Sequence, residues 1–340
     1  MASGKHKFAR NAAPTINDDL RLRIAEDLLL GADRDLVIQR LASMGISGQL
    51  AQSEVERAEK SPYFKAAGRL SARLKKRDWL LANQAKLAMG VTEVPRRHKL
   101  AAADFFRDFY HAHRPVLLSG LIDHWPAREK WSLDHLHAQH GFALIRAQWE
   151  RERDPDYEVN STAHGETRPF AEFLARLRTP NNDVYMTANN HDHNRQALAA
   201  LWEDVGGIPG YLSDEPGRDG FLWIGPKGTI TPWHHDLTNN LLLQISGTKR
   251  VLLAASHDIA LMRNSRHCFS DWGGEALPPG PATGQRPAIL SVDIAPGDIL
   301  FIPVGWWHHV EALDVTIGMS FTNFAADNDF YSHYDSYGAH

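Results

Sequence analysis

The chain of 340 residues contains a single cysteine, Cys268. An internal disulfide is therefore impossible, which excludes a stapled secreted domain and fits a reducing compartment. Long apolar runs are also missing: none approaches the roughly 18 residues that a membrane-spanning helix needs. The opening MASGKHKFARNAAPT is basic and free of acid, but it lacks the apolar segment of a secretory signal. It lacks a helical apolar stripe as well, so residues 1–16 are expected to be a flexible tail, not a transit peptide, on a cytoplasmic protein. Internal repeats and long low-complexity segments are absent, and a repeat architecture is not expected.

What is present is ordinary globular usage, 43% hydrophobic and 23% charged. At roughly 150 residues per domain, the length suggests about two domains. The formal net charge of −4 conceals an asymmetry: residues 1–100 carry 19 Lys and Arg against 11 Asp and Glu, and residues 101–340 carry 18 against 30. A basic small part is joined to an acidic large one. The run Arg69, Arg73, Lys75, Lys76 and Arg77 falls on a helical pattern, where a solvated face explains it. No aromatic platform interleaves the basic residues, so nucleic acid is not expected as a partner.

From residue 17 to residue 90 the apolar spacing is helical. Leu20, Ile24 and Leu28 recur behind caps at Asn17 or Asp18, and Gly31 follows as a stop. A second short helix begins near Asp33, carries Val37, Leu41 and Met44 on one face, and ends at Gly45. A third spans Gln49 to Glu59. The fourth opens on Ser61 and Pro62 and keeps Tyr63, Ala67, Leu70, Leu74 and Leu81 near one face as far as Gly90. Its stripe is longer than three short helices can cover, so residues 17–90 read as a docking or oligomerisation domain, in a homodimer.

After Gly90 the texture changes to short β-rich runs between Gly, Pro, Asn and Asp, among them PVLLSG, FALIRAQ, DVYMTAN, GFLWIG, NLLLQISGTKRVLLA, AILSVDIAPGDILFIPVG and TIGMSFTNF. Many short strands at close spacing predict a sandwich or barrel, with short helices at Leu133 to Gln139 and Phe170 to Leu177 on its outside. The catalytic domain is expected over residues 91–325. The aromatic end, residues 326–340 with Tyr331, His333, Tyr334, Tyr337 and His340, either covers the site or the dimer contact or frays.

The densest chemical signal is Thr231-Pro232-Trp233-His234-His235-Asp236, followed by Trp306-Trp307-His308-His309. Residues two apart on a strand share a face, so His234 and Asp236 project together while His235 and His309 face away. A second strand, after the turn Ala295-Pro296-Gly297-Asp298, would bring in His308. Two imidazoles and one carboxylate leave three positions open on a metal, which suits non-haem Fe(II) activating dioxygen with a bidentate cosubstrate. The residual positive charge favours an anionic oxoacid. Lys249, at an inward strand position, would be a costly unpaired cation unless an anion met it, and the alternative is a solvated residue beside a Ser246-Gly247-Thr248 hairpin.

These residues, with Gly228-Thr229-Ile230, Asn240, Gln244, Gly247 and Arg250, the lead-in Pro296-Gly297-Asp298-Ile299-Leu300-Phe301-Ile302-Pro303 and the upstream Arg114-Pro115-Val116-Leu117-Leu118-Ser119-Gly120 and Trp125-Pro126-Ala127, resemble the JmjC (cupin-like) Fe(II)/2-oxoglutarate oxygenases. Within them the chain is most similar to the hydroxylase branch that includes the asparaginyl hydroxylase acting on hypoxia-inducible factor. The resemblance implies a double-stranded β-helix, a jelly roll of the cupin type with flanking helices, behind the small all-α domain. It implies His234, Asp236 and His308 as iron ligands and Lys249 as partner of the distal carboxylate of 2-oxoglutarate, with Thr231 and Tyr185 as hydroxyl donors. Asn240 matches a polar residue near the cosubstrate and Asn323 one lining the site. Dioxygen is the second cosubstrate, and Asp at 236, where the family's demethylases mostly carry Glu, favours hydroxylation of a peptide or protein side chain.

Other readings stay open beside this one. The stretch His191-Asp192-His193 offers close ligands but lies in loop-like sequence without strand alternation. A cupin without oxygen chemistry, an isomerase or small-ligand binder, would add a second His and a Glu that this sequence does not place. A free amino acid, a metabolite or an RNA-associated substrate are alternatives to a peptide. The residues that choose among them lie on loops such as 148–166 and 267–285.

Overall fold

The computed structural model describes residues 16–88, 91–214 and 220–334. The tail before residue 16, Gly90, Tyr337 and His340 lie outside the described residues. Four helices come first: α1 (Asp18–Leu30), α2 (Arg34–Ser43), α3 (Gly48–Lys60) and α4 (Pro62–Leu87). The first three each start on a side chain that accepts an otherwise unpaired N–H: Asn17 for Leu20, Asp33 for Asp35 and Leu36, Ser47 for Leu50. Ile24, Val37, Leu41, Ile46, Ala51 and Val55 form a small core of their own. Met44, expected on that face, is 54% exposed. It is the C-cap of α2, already off the helical repeat, and Ile46 fills the position instead. Compactness divides the chain inside α4, into a unit ending at Asn83 and a unit starting at Gln84. The change in sequence texture near residue 90 falls just beyond the end of this helix at Leu87.

The second unit carries the strands β1 (Arg96–His98), β2 (Val116–Ser119), β3 (Leu144–Gln148), β4 (Gly165–Pro169), β5 (Phe221–Gly225), β6 (Ile230–His235), β7 (Asn240–Ser246), β8 (Lys249–Ala254), β9 (Asn264–Arg266), β10 (Phe269–Ser270), β11 (Leu290–Ile294), β12 (Ile299–Ile302), β13 (Trp307–Ala312) and β14 (Thr316–Phe321). One sheet has the order β1-β2-β12-β7-β14-β5, the other β11-β8-β13-β6-β10-β9, and β3 pairs with β4. The chain changes sheet at every step of β5-β6-β7-β8 and again of β11-β12-β13-β14. Two interwoven four-strand halves make a double-stranded β-helix, a jelly roll.

Alternation along each strand sorts the side chains into layers. Leu241, Leu243 and Ile245 of β7, Ile317, Met319 and Phe321 of β14, and Leu222 and Ile224 of β5 face outward into the largest core, under helices that supply Phe105, Leu136, Phe170 and Phe173. The helices Leu133–His140 and Phe170–Arg176 lie where the sequence put them. Between the sheets, Leu117, Leu242, Leu300 and Ile302 meet Val251, Leu253 and Val310. Burying such side chains stabilises by about 1.5–3 kcal/mol each.

The expected strand at 183–189 shrinks to two bridges, Tyr185 to Gln148 and Met186 to Ile224. Thr187 and Asn190 then form a capping box on a 3₁₀ turn, Ala188–Asn190, which runs on into a short helix, His191–Ala197. The loop expected at His191-Asp192-His193 is thus helical, because the capping pair supplies the helix start that the sequence reading overlooked. His193 there binds the carbonyl of Leu144 (2.9 Å).

Candidate active site

The site lies on the inner face of the second sheet and begins with an irregularity. His308 of β13 stands opposite His234, but Val310, two residues on, stands opposite Thr231, three residues back. The extra residue is a bulge at Pro232-Trp233, and proline suits it because it has no N–H to give the ladder. Without the bulge, Thr231 and His234 would face opposite sides. With it, Trp233 packs outward against Leu252, Ala254 and Trp307 while the two polar residues face inward.

Ligand atoms of His234, Asp236 and His308 all lie within 4.8 Å of one another. His234 Nε2 is 3.8 Å from Asp236 Oδ1 and His308 Nε2 is 3.9 Å from Oδ2. Both imidazoles turn Nδ1 to a backbone carbonyl two residues back, Pro232 (2.8 Å) and Trp306 (3.1 Å). With Nδ1–H donating there, both Nε2 lone pairs aim at the space shared with the carboxylate. Burial, with His308 alongside, pushes the His234 imidazole well below its ordinary pKa, so it is neutral at pH 7 and can act as a ligand. Asn240 donates to Asp236 Oδ2 (2.9 Å) and fixes the carboxylate. Two imidazoles and a carboxylate, oriented by backbone and amide partners, fit a divalent iron with open positions.

His235 and His309 face away from this space. His235 packs on Trp307 (4.7 Å between rings) and meets the Tyr334 hydroxyl (3.3 Å), and His309 binds the Gly274 carbonyl (3.1 Å). Tyr334 of the C-terminal segment therefore lies on the outside of the ligand-bearing strand.

Lys249 enters from β8 on the inner face with Val251 and Leu253, and is 2% exposed. Its ammonium meets the Tyr185 hydroxyl at 3.5 Å. Burial without a carboxylate partner pushes its pKa down to about 8. Tyr185, whose own pKa burial raises, is hydrogen-bonded to Thr231. A Cβ at Gly225 would lie 2.8 Å from the Tyr185 ring, so glycine is what lets the ring approach β5 this closely. Lys249, Tyr185 and Thr231 thus come together. Asn323 does not join them: it is buried past the end of β14, and its amide donates to the Ser213 carbonyl (3.1 Å).

Sequence reasoning missed Arg151. This guanidinium is fully buried, lies 5.1 Å from the Tyr185 ring centre and 4.2 Å from that of Tyr157, and donates to Ile230 O (2.9 Å), Asn182 Oδ1 (2.9 Å) and Glu158 (3.3 Å). It thereby holds both Tyr185 and the residue before Thr231. In sequence it sits in Glu150-Arg151-Glu152-Arg153, which reads as a solvated charge run, and no local signal marks it otherwise.

A model of the cupin-like domain family matches residues 102–329. The chain is 31% identical over 243 residues to lysine-specific demethylase JMJ30 of Arabidopsis thaliana, across 67% of this chain and 54% of that protein. It is 29% identical over 252 residues to lysine-specific demethylase 8 of Xenopus tropicalis, across 68% and 52%. With tRNA wybutosine-synthesizing protein 5 of Gallus gallus it shares 24% over 269 residues, across 72% and 81%. The chain spans about half the length of the two demethylases. The family match takes in both interwoven halves of the jelly roll and all three convergent donors, and the chain belongs to the cupin-like JmjC domain family.

Proposed function

We propose that the protein is an Fe(II)- and 2-oxoglutarate-dependent dioxygenase of the hydroxylase branch, acting on an unactivated C–H of a protein or peptide side chain. One juxtaposition carries this reading: a three-donor site shares its barrel interior with a buried lysine that has no carboxylate beside it among the described residues. His234, Asp236 and His308 would hold the iron. Bound there, iron and its cosubstrates supply oxidative decarboxylation of 2-oxoglutarate to succinate and carbon dioxide, coupled to C–H oxidation. Lys249 receives the distal carboxylate, and Tyr185 and Thr231 donate their hydroxyls to it. Asn240 keeps Asp236 oriented, and Asn323, bonded to the Ser213 carbonyl, takes no part in this reading. The jelly roll excludes water from the reacting C–H.

The names of the relatives favour a second reading, demethylation of lysine. Oxidation of an N-methyl group releases formaldehyde, and oxidation of a side-chain carbon does not. Formaldehyde formed in step with succinate from a methyl-lysine peptide would overturn the hydroxylase reading. We further propose that the helical unit serves docking or oligomerisation in a homodimer, and that the protein is cytoplasmic. No helix among the described residues is long and apolar enough to cross a membrane.

The deciding experiment is anaerobic titration of metal-free protein with Fe(II) and then 2-oxoglutarate. A weak visible charge-transfer band in the parent, missing in His234→Ala, is the expected result. No band in iron-loaded protein returns the non-oxygenase cupin to the front.

A further inference from the structure

Of the four charged residues Glu150-Arg151-Glu152-Arg153, Arg151 alone is buried, and the other three are exposed. The backbone takes an unfavourable conformation to put it there. Glu150 has φ 59° and ψ 32°, in the left-handed region that residues with a side chain rarely occupy, and Arg151 then opens a short 3₁₀ turn with its N–H on the Asp183 carbonyl (3.2 Å). Such a conformation persists only where the surroundings over-determine it. Here the surroundings grip a guanidinium with no exposure, beside one partly buried carboxylate, Glu158, at 3.3 Å.

That guanidinium touches what supports the two hydroxyls, Tyr185 and Thr231. Ile230 precedes Thr231, and both of its backbone groups are bound in the cluster. Its N–H donates to Asn182 Oδ1 (2.9 Å), and its carbonyl accepts from Arg151 Nη2 (2.9 Å) and the Tyr157 hydroxyl (3.2 Å). Arg151 Nη1 closes the network on the same Asn182 oxygen (2.9 Å). The guanidinium also lies over the rings of Tyr157 at 4.2 Å and Tyr185 at 5.1 Å. Tyr185 in turn is bonded to Thr231 and lies 3.5 Å from the Lys249 ammonium. Arg151 thus fixes one hydroxyl through its ring and the other through the backbone before it. Its charge reaches them as well: burial raises the Tyr185 pKa, and the Arg151 charge opposes that rise.

We propose that Arg151 is a positioning residue for the cosubstrate. It holds the Tyr185 and Thr231 hydroxyls in place for the distal carboxylate and adds to Lys249 a second buried positive charge, so that the pocket prefers a 2-oxo acid with two carboxylates over one with a single carboxylate. This rests on the oxygenase reading above. Glu158 is the opposing element, because its carboxylate sets how much of the Arg151 charge the cosubstrate meets.

The test measures binding to the full chain loaded anaerobically with Fe(II), from the charge-transfer band and from the rise in melting temperature. The two ligands are 2-oxoglutarate and 5-methyl-2-oxohexanoate, which keeps the 1-carboxylate and 2-oxo group and carries two methyls in place of the distal oxygens. Arg151→Gln should weaken 2-oxoglutarate about tenfold and leave the monocarboxylate within about twofold of the parent. Arg151→Lys, which restores the charge without the planar fork, should recover part of that loss. Glu158→Gln keeps Arg151 and removes the opposing charge, so it should tighten 2-oxoglutarate about threefold and leave the monocarboxylate unchanged. A residue that only braced the fold would lose affinity with its partner, not gain it. Equal weakening of both acids in Arg151→Gln, no recovery or complete recovery in Arg151→Lys, or unchanged or weaker 2-oxoglutarate binding in Glu158→Gln would each overturn the assignment while the band of the parent persists. If the Arg151 variants do not fold, Glu158→Gln decides alone. Absence of the band in the parent overturns the oxygenase reading, and this assignment with it.

Discussion

Lys249 shows what a buried cation costs the fold that carries it. Its ammonium is buried with one hydroxyl at 3.5 Å as partner, and its pKa falls from the ordinary 10.5 to about 8. Between those values the unfolded chain binds the proton and the folded one does not, so stability rises with pH across that window. Below about pH 8 the full penalty applies, on the order of 3 kcal/mol at 1.36 kcal/mol per unit. Lys249→Met should therefore raise the melting temperature of the cosubstrate-free protein at pH 7, and the gain should shrink to nothing above about pH 10.5. The same variant should lose the stabilisation that 2-oxoglutarate gives the parent. In the parent, 2-oxoglutarate affinity should hold steady below pH 8 and weaken up to tenfold per unit above it, as the free ammonium loses its proton. Calorimetric melting across pH, with and without 2-oxoglutarate, measures all three. A Lys249→Met protein less stable than the parent at pH 7 would mean that the lysine is structurally paired.

At the scale of elements, the hairpin between β7 and β8 sets where that lysine enters. Gly247 turns it at φ 72°, a conformation that favours glycine, and a Cβ there would collide with the Val315 carbonyl. Gly247→Ala should cost about 2–4 kcal/mol in urea unfolding. It should also weaken 2-oxoglutarate binding, because Lys249 is two residues away; a variant with parent stability would show that the turn can relax. Elements also explain what the sequence could disclose. The donors His234 and Asp236 were legible because strand alternation has a period of two, and no irregularity falls between them. Thr231 was legible only through family likeness, since alternation puts it on the wrong face and the Pro232-Trp233 bulge restores it. The weave of strands between sheets, and the bridge that sets Gln148 beside Tyr185, join residues far apart in sequence. No periodicity encodes such pairings, which is why the contacts of the segment 148–166 could not be read from the sequence.

At the scale of the molecule, α4 remains unexplained by either unit's core. It buries none of its 26 residues. Leu70, Leu74, Trp79 and Leu80 are each about half or more exposed, from 49% to 66%. Its charge is one-sided, with Lys65, Arg69, Arg73, Lys75, Lys76, Arg77 and Lys86 against Asp78, whereas residues 101–340 carry 12 more acidic than basic residues. In the homodimer proposed above, this apolar surface of α4 would be covered by the second copy, with its basic face toward the acidic residues of that copy. Apolar burial would supply most of the affinity. The charges would supply the rate of encounter and its salt dependence. Sedimentation velocity at micromolar concentration should then show a dimer, and Leu74→Glu with Trp79→Glu should show a monomer whose iron charge-transfer band per chain matches the parent. Raising the salt from about 0.05 to 0.5 M should slow dimer formation more than it weakens the dimer. A parent that sediments as a monomer would remove the homodimer and leave α4 to a different protein.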